Sequence, residues 1–315
     1  MPVSDGALRA GLELAMGRQV EVLERSPLAD ESTFPIERVE VVVDGERLTM
    51  VFKDSSPTSA PDAPAQSKPA FVRDPRREIV AYRGVLASAA IDAPRCYGSI
   101  SDADGERFWL FLEHVDGELL WRIGDFTVWE QAARWLANLH GQEVRQEEVG
   151  LLRYDAEWFR TWLPRAVDAT EGAALVRLTA RWERVVERLG EWPVSFVHGE
   201  FYPSNVLVQR GEEKARLRPV DWEMAGFGPG LLDLAALTGG GWTEDQRGRL
   251  VAAYFDAWGE HTPRPDWHVF AEVLDCCRLH LAVQWIGWSP GWSPPSEHAH
   301  DWRAEALELA DRLGL

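Results

Sequence analysis

The chain has little cysteine, little lysine and no long apolar run. Its 315 residues include only three cysteines (Cys96, Cys276 and Cys277), too few for a disulfide framework and not spaced as a zinc set. No run of about 18 apolar residues occurs, so the sequence predicts no membrane-spanning helix. Residues 1–17 have no basic segment ahead of an apolar stretch, so we expect no signal peptide. Together these absences favour a protein of the reducing cytoplasm.

Acidic residues outnumber basic ones by 51 to 33, and almost all of the basic residues are arginine. The lysines are Lys53, Lys68 and Lys214, and the formal net charge is −18. A protein that coats DNA or RNA needs a basic stripe, and the sequence has none, so we expect no nucleic-acid partner. The acidity could attract a cationic small molecule or could merely keep the protein soluble.

The first third of the chain has β-strand character. Val39, Val41 and Val43 alternate with charged residues, and Asp44-Gly45 then supplies a hairpin turn before a second β-rich run. Residues 54–69 contain four prolines and four serines, which predicts a mobile loop that is dispensable for folding. Shorter signals predict a helix at 5–17, a weaker strand at 19–25, a helix after Asp74-Pro75, and strands near 96–100 and 107–113.

From residue 126 onward the pattern is mainly helical. Apolar spacing predicts helices over 128–140, 155–168, 172–190, 243–258, 266–287 and 299–313, interrupted by a loop-and-strand block at 196–222. We therefore predict an α+β protein with a small β-rich N-lobe, residues 1–113, and a large helical C-lobe, residues 114–315.

The loop-and-strand block carries the strongest chemical signal. In FVHGEFYPSNVLVQ, residues 196–209, an apolar run leads into a polar loop that ends at Asn205, and a second apolar run stops at Asp221. Paired strands would bring Asn205 and Asp221 to the same end, where amide and carboxylate oxygens suit Mg²⁺. Glu200 lies five residues before Asn205, where a carboxylate could accept a proton from a hydroxyl.

This block resembles the catalytic loop of the aminoglycoside phosphotransferase and choline kinase family, in which His-Gly-Asp is followed five residues after the Asp by Asn. The later segment DWEMAGFGPGLLDLA, residues 221–235, resembles that family's metal-binding segment. The resemblance implies a two-lobed protein-kinase-like fold in which Asn205 and Asp221 hold Mg²⁺. It also implies that His198 braces the loop and that Asp233 anchors it.

The sequence departs from the family pattern at one position, because residue 200 is Glu where the family has Asp. The two carboxylic acids have similar ordinary pKa values, so the difference is one of reach. An extra methylene shifts the carboxylate by more than about 1 Å, and misplacement on that scale can cost about 100-fold in rate.

The resemblance also assigns residues to the nucleotide. Lys53 would contact the α- and β-phosphates of ATP or GTP and pair with Glu78 on the next helix. Ser32 and Thr33 would approach the phosphates from a loop without glycine at 26–34. Backbone groups at Glu113 and Val115 would meet the base.

The implied reaction is transfer of a γ-phosphoryl group to a hydroxyl of a small metabolite, sugar or aminoglycoside-like acceptor. The acidity suggests a cationic acceptor, whereas tryptophans such as Trp285, Trp288 and Trp292 could stack on a sugar or simply pack in the core. Two alternatives stay open: a nucleotide-binding pseudokinase that acts through a partner protein, and a nucleotidyl transferase.

Overall fold

The computed structural model describes residues 3–28, 34–59, 69–88, 91–144, 149–170, 173–211, 215–258, 263–288 and 299–315. The chain divides into two compact units. The first unit comprises Met1–Gly117, Glu148–Gly150 and Arg218–Glu223. The second unit comprises Glu118–Glu147, Leu151–Leu217 and Met224–Leu315.

The first unit is built on an antiparallel five-stranded sheet. In spatial order the strands are Val20–Pro27, Ile36–Val43, Glu46–Asp54, Phe108–Glu113 and Cys96–Ser101. The helices of this unit are Asp5–Met16, Arg77–Arg83 and Val85–Ser88, with a 3₁₀ turn at Ala70–Val72. The predicted first helix, the weaker first strand and the later strands are all present.

The predicted hairpin is confirmed, and its turn has the expected backbone. Asp44 and Gly45 have φ values of +52° and +86°, as a two-residue turn that matches strand twist requires. Val39 and Val41 are fully buried on one face of their strand, where they pack against Leu8 and Leu12 of the first helix. The period-2 pattern therefore fixed which face of the sheet carries the core.

The interpretation of residues 54–69 as a wholly unpacked loop is wrong at its start. Asp54, Ser55 and Ser56 are 2–7% exposed. Ser56 accepts a hydrogen bond from the Phe108 N–H at 3.1 Å, and its own N–H donates to Asp54 Oδ1 at 3.0 Å. Polar side chains can be buried here because they satisfy one another, which composition alone does not reveal. Residues 60–68 lie outside the described part of the chain.

The second unit is mainly helical. Its helices are Phe126–His140, Ala156–Thr170, Ala173–Thr179, Trp182–Gly190, Leu231–Thr238, Glu244–Asp256, Trp267–Ile286 and Trp302–Arg312. Two small three-stranded sheets accompany them. The first has the strand order Arg216–Pro219, Val206–Gln209, Glu118–Leu119. The second has the strand order Leu152–Arg153, Gly226–Pro229, Val194–Val197. Residues 218 and 219 of strand Arg216–Pro219 belong to the first unit.

The predicted helix at 172–190 is two helices instead of one. The chain breaks before Trp182, whose buried indole N–H donates to the Phe159 carbonyl at 3.0 Å. The helix predicted after Asp74-Pro75 is likewise interrupted, at Gly84. In the described residues no helix combines the length and the apolar character needed to cross a bilayer.

Candidate functional site

Lys53 lies one residue before the end of strand Glu46–Asp54 and forms two ion pairs within the first unit. Its Nζ is 2.7 Å from Glu78 Oε2 and 2.6 Å from Asp221 Oδ1. Burial by itself would lower the pKa of Lys53, but the two carboxylates outweigh it and raise that pKa above its ordinary value. The side chain is therefore a fixed positive charge near neutral pH.

Glu78 is the more deeply buried of the two carboxylates, and each of its carboxylate oxygens has a partner. It belongs to helix Arg77–Arg83 and is 3% exposed, and its Oε1 accepts a hydrogen bond from the Trp222 N–H at 3.3 Å. Burial raises the pKa of Glu78, whereas Lys53 acts in the opposite direction. The neighbouring Arg77 donates to the Glu223 carbonyl at 2.8 Å, so the helix is bonded directly to the chain that follows Asp221.

Asp221 has an unusual backbone for a residue with a side chain. Its φ is +64°, in the left-handed region, which costs about 1–3 kcal/mol and persists only where the surrounding structure enforces it. Trp222 provides that enforcement, because it is fully buried and its indole N–H donates to the Pro219 carbonyl at 3.1 Å. The Asp221 side chain keeps 35% of its surface exposed, so it remains accessible to a ligand.

Glu113 and Val115 occupy the end of strand Phe108–Glu113 and the segment after it. The Glu113 carboxylate binds the buried guanidinium of Arg218 and accepts from the Arg95 N–H at 3.0 Å. Arg218 also donates to the Ala93 carbonyl at 3.0 Å. Val115 is buried. The sequence prediction missed Arg218, because an arginine in LRPVD looks no different from an exposed one.

In the second unit, Asp233 binds the backbone of the His-Gly-Glu loop. It is fully buried on helix Leu231–Thr238, and its two carboxylate oxygens accept the N–H groups of His198 at 2.7 Å and Gly199 at 2.8 Å. Hydrogen bonds to a carboxylate are among the stronger ones in proteins. Asp233 therefore fixes the backbone direction at the start of the loop.

His140 completes this arrangement, and the sequence prediction missed it. It ends helix Phe126–His140, with Nε2 3.1 Å from Asp233 Oδ2 and Nδ1 2.9 Å from the Tyr254 hydroxyl. A Cβ on Gly230 would lie 2.6 Å from the His140 ring, so only glycine fits there. The one available sequence signal was a histidine at a helix end, which is too common to be specific.

Gly199 is the tightest point of the loop. Its φ is +85°, and a Cβ there would lie 2.2 Å from both the Met224 carbonyl oxygen and the Tyr154 hydroxyl. That hydroxyl donates to the same carbonyl at 2.6 Å. The glycine between His198 and Glu200 is thus required both by its backbone conformation and by the space around it.

The loop folds back on the carbonyl of Glu200. That oxygen accepts the Tyr202 N–H at 2.7 Å and the Asn205 side-chain Nδ2 at 3.0 Å, while the Glu200 N–H donates to His198 Nδ1 at 3.3 Å. The five-residue spacing from Glu200 to Asn205 follows from this closed turn. Because Nδ2 points to the carbonyl, Oδ1 is the atom of Asn205 that suits a cation.

The aromatic residues of the C-terminal helices serve mainly to pack this unit. Trp288 stacks on Trp162 with ring centroids 5.5 Å apart. Trp285 stacks on Trp302 at 5.3 Å and lies 5.4 Å from the ring of Tyr202, within the loop. Ser32, Thr33 and Trp292 lie outside the described residues.

Comparison with known proteins gives a family and a fold. Residues 36–273 match the model of the phosphotransferase enzyme family, abbreviated APH. No curated protein sequence matches the chain at a significant level.

Three solved structures illustrate the similarity of fold. The microcompartment-associated aminopropanol kinase has a TM-score of 0.63 at 17% identity, over 92% of this chain and 91% of its own. Choline kinase from Cryptosporidium parvum Iowa II has a TM-score of 0.58 at 14% identity, over 93% of this chain and 88% of its own. The GDP complex of wild-type aminoglycoside 2'-phosphotransferase-IIIa has a TM-score of 0.55 at 15% identity, over 93% of this chain and 92% of its own.

At such identities the solved structures establish the protein-kinase-like fold, and the family model establishes descent. That model covers about three quarters of the chain, including Lys53, the His-Gly-Glu loop, Asp221 and Asp233. The protein therefore belongs to the phosphotransferase enzyme family.

Proposed function

We propose that this protein transfers the γ-phosphoryl group of Mg-ATP or Mg-GTP to a hydroxyl of a small molecule that also carries an amine. The observation that carries the proposal is the buried Lys53, which pairs with both Glu78 and Asp221. A lysine whose charge is fixed by two carboxylates is a suitable partner for nucleotide phosphates.

The nucleotide would use residues of the first unit. Lys53 would neutralise the α- and β-phosphates, while Glu78 keeps its ammonium oriented. Backbone groups at Glu113 and Val115 would bind the base. Ser32 and Thr33 would cover the phosphates. ATP and GTP are both retained as donors, because a GDP complex is among the similar structures.

Asn205 and Asp221 are the residues proposed to hold Mg²⁺, and their donor atoms fit a hard cation. Asn205 offers an amide oxygen, since its Nδ2 is engaged with the Glu200 carbonyl, and Asp221 offers a partly exposed carboxylate. When bound, Mg²⁺ supplies neutralisation of the negative charge on the donor phosphates.

Glu200 is the proposed partner of the acceptor hydroxyl. The acceptor oxygen would bond to the γ-phosphorus as the bond from that phosphorus to the bridging oxygen breaks, and the nucleoside diphosphate leaves. The hydroxyl proton passes to the Glu200 carboxylate late in this step, because the transition state is largely dissociative. His198 and Asp233 would act only by holding the loop, through the hydrogen bonds described above.

The amine in the proposed acceptor has two supports. The chain carries a formal net charge of −18, which favours encounter with cations. The similar structures include an aminopropanol kinase, a choline kinase and an aminoglycoside phosphotransferase, whose names denote acceptors that carry an amine or a quaternary ammonium group.

The test is a screen with γ-labelled ATP and GTP, with Mg²⁺ present or withheld. The panel contains amino alcohols, aminoglycosides, neutral sugars and homoserine, and products are identified by mass spectrometry. We expect a phosphorylated amine-bearing product that requires Mg²⁺. Turnover of neutral sugars alone would contradict the proposal that the acceptor carries an amine. A nucleotidylated product would contradict the proposal that the enzyme transfers a phosphoryl group.

A second candidate, a nucleotide-binding pseudokinase, is favoured by one observation, the longer carboxylate at position 200. Tight Mg-nucleotide binding without turnover on the whole panel would select it over the enzyme.

A further inference from the structure

A cavity of about 870 Å³ lies wholly within the first unit and contains none of the residues assigned above. Its walls come from the end of helix Asp5–Met16, from the C-terminal end of helix Arg77–Arg83 with the short helix Val85–Ser88, and from strand Cys96–Ser101 with the residues just before it. Such a volume accommodates a small organic molecule.

Two residues that line this cavity carry buried hydroxyl groups that have no partner within the described part of the chain. These residues are Tyr82, which is 2% exposed, and Ser99. Leaving a buried hydroxyl without a hydrogen bond is destabilising. Burial raises the pKa of Tyr82 well above its ordinary value, and Glu78 adds to that rise, so the phenol stays protonated and can donate.

Two arginines, Arg83 and Arg95, line the cavity, and neither forms an ion pair with any residue that the structure describes. The Arg95 guanidinium lies over the ring of Tyr97, 5.5 Å from its centroid. The acidic lining residue, Asp102, is paired with Arg107 at 2.6 Å. In a protein whose net charge is −18, two such guanidinium groups suit an anion.

Apolar side chains form another part of the wall. Leu14, Leu86 and Ile100 line it, and Ala15 approaches Gly98 so closely that a Cβ on Gly98 would lie 2.8 Å from the Ala15 Cβ. The helix and the strand therefore meet without side chains between them and leave the space beside that contact open. An apolar body would be buried here while its charged end reaches the arginines.

We propose that this cavity is a binding site for a small amphipathic anion, with an apolar body and one carboxylate, sulfonate or phosphate group. The anionic group would accept from Arg83 and Arg95, and an acceptor atom of the ligand would satisfy Tyr82. Since Tyr82 lies one helical turn after Glu78, such a ligand would contact the helix that carries the partner of Lys53. The site is separate from the proposed function and does not depend on it.

The test uses 8-anilinonaphthalene-1-sulfonate as the anionic probe and N-phenyl-1-naphthylamine as its uncharged counterpart, on the full chain. We expect saturable fluorescence binding of the sulfonate, about tenfold tighter than that of the amine because of the charge-assisted hydrogen bonds. Absence of saturable binding, or equal affinity for the two probes, would overturn the proposal.

Variants assign the probe to this cavity. The pair Arg83→Ala and Arg95→Ala should remove the preference for the sulfonate, whereas the matched pair Arg9→Ala and Arg47→Ala, exposed arginines elsewhere in the unit, should retain it. Tyr82→Phe should raise the Tm, because it removes an unsatisfied hydroxyl, and should also lower the affinity for the sulfonate probe. The site would be refuted if both pairs of arginine variants lost the preference for the sulfonate equally. A Tyr82→Phe variant with a lower Tm and an unchanged affinity for the sulfonate would also refute it.

Cys96 provides an independent readout, because it lines the cavity and is only partly buried, whereas Cys276 and Cys277 are buried. At a sulfonate concentration about ten times its Kd, alkylation of Cys96 by iodoacetamide should slow by about tenfold. Peptide mass spectrometry measures this rate. Unchanged alkylation of Cys96 at saturation would show that the probe binds elsewhere and would overturn the assignment.

Discussion

The ammonium nitrogen of Lys53 lies 2.6 Å from Oδ1 of Asp221, although 168 residues separate the two in the chain. The same lysine also contacts Glu78, so one buried cation is shared by two carboxylates. Because Asp221 is the proposed metal ligand, the lysine and the metal would use the same carboxylate. Replacing Asp221 and replacing Lys53 should therefore have different effects, the first on Mg²⁺-dependent nucleotide binding and the second on stability.

Asp221→Ala should abolish Mg²⁺-dependent nucleotide binding and leave the fold intact, since Lys53 retains Glu78. We expect nucleotide affinity in Mg²⁺ to fall by at least about tenfold, because losing even a supporting metal partner costs that much. Titration of ATP and GTP with and without Mg²⁺ measures it. Asp44→Ala is the control, because Asp44 is also an aspartate with positive φ but lies in the hairpin turn. Unchanged Mg²⁺ dependence in Asp221→Ala would remove Asp221 from the site.

Lys53→Met should make stability fall as pH rises. The substitution leaves the Glu78 carboxylate buried with its principal cation gone, so the pKa of Glu78 rises further above its unfolded value. A carboxyl group with a raised folded pKa is compatible with the fold below its unfolded pKa, and stability is lost as pH increases through the folded pKa. Breaking a buried pair in this way costs about 3–5 kcal/mol.

The measurement for Lys53→Met is the Tm between mildly acidic and mildly alkaline pH, beside the wild type. The double variant Lys53→Met with Glu78→Gln removes the orphaned charge and should recover most of the stability at high pH. A Tm of the single variant that does not change with pH relative to the wild type would show that the Glu78 charge is not the cause.

Glu200→Gln should lower kcat by about 100-fold or more, the usual contribution of a positioned base. Nucleotide affinity should change little, because Lys53 and Asp221 are unaltered. Glu200→Asp tests the reach of the carboxylate. In a working enzyme the shorter side chain should reduce activity, and in a pseudokinase it could create some. Full activity of the Gln variant at saturating nucleotide and acceptor would exclude Glu200 from the reaction.

Gly199→Ala and Gly45→Ala separate backbone strain from steric collision. Both glycines have φ near +85°, but a Cβ on Gly45 meets nothing within 4 Å, whereas on Gly199 it would lie 2.2 Å from the Met224 oxygen. We expect Gly45→Ala to cost roughly 1–2 kcal/mol from the left-handed conformation alone. Gly199→Ala should cost about 1–3 kcal/mol more from the collision and should inactivate the enzyme. Similar Tm and kcat values for the two variants would contradict this account.

Ser56→Ala should destabilise the first unit by about 1–3 kcal/mol, because it leaves the buried Phe108 N–H without its acceptor and removes one of the hydrogen-bond donors to the Asp54 carboxylate. Thr58→Ala, at an exposed position two residues later, is the matched control and should have no measurable effect. Thermal unfolding of the two variants compares them. Equal Tm values would mean that the buried serine contributes nothing.

Local patterns predicted the elements well because their signals are local. The alternation of Val39, Val41 and Val43 and the Asp44-Gly45 turn were sufficient for the hairpin, since strand period and turn chemistry depend on adjacent residues. The spacing from Glu200 to Asn205 is equally local, because the hydrogen bond from the Asn205 side chain to the Glu200 carbonyl closes within the segment.

The sequence by itself thus determined the order of strands and helices, the family, and the residue types offered to the chemistry. Tertiary structure alone decided which residues became partners. His140, Tyr254 and Asp233 meet from three helices, and Arg218 reaches Glu113 across 105 residues. Burial likewise turned Asp54 and Ser56 from an apparent loop into packed structure. Such pairings depend on which polar groups lose water together, and that is a property of the packed fold and not of neighbouring letters in the chain.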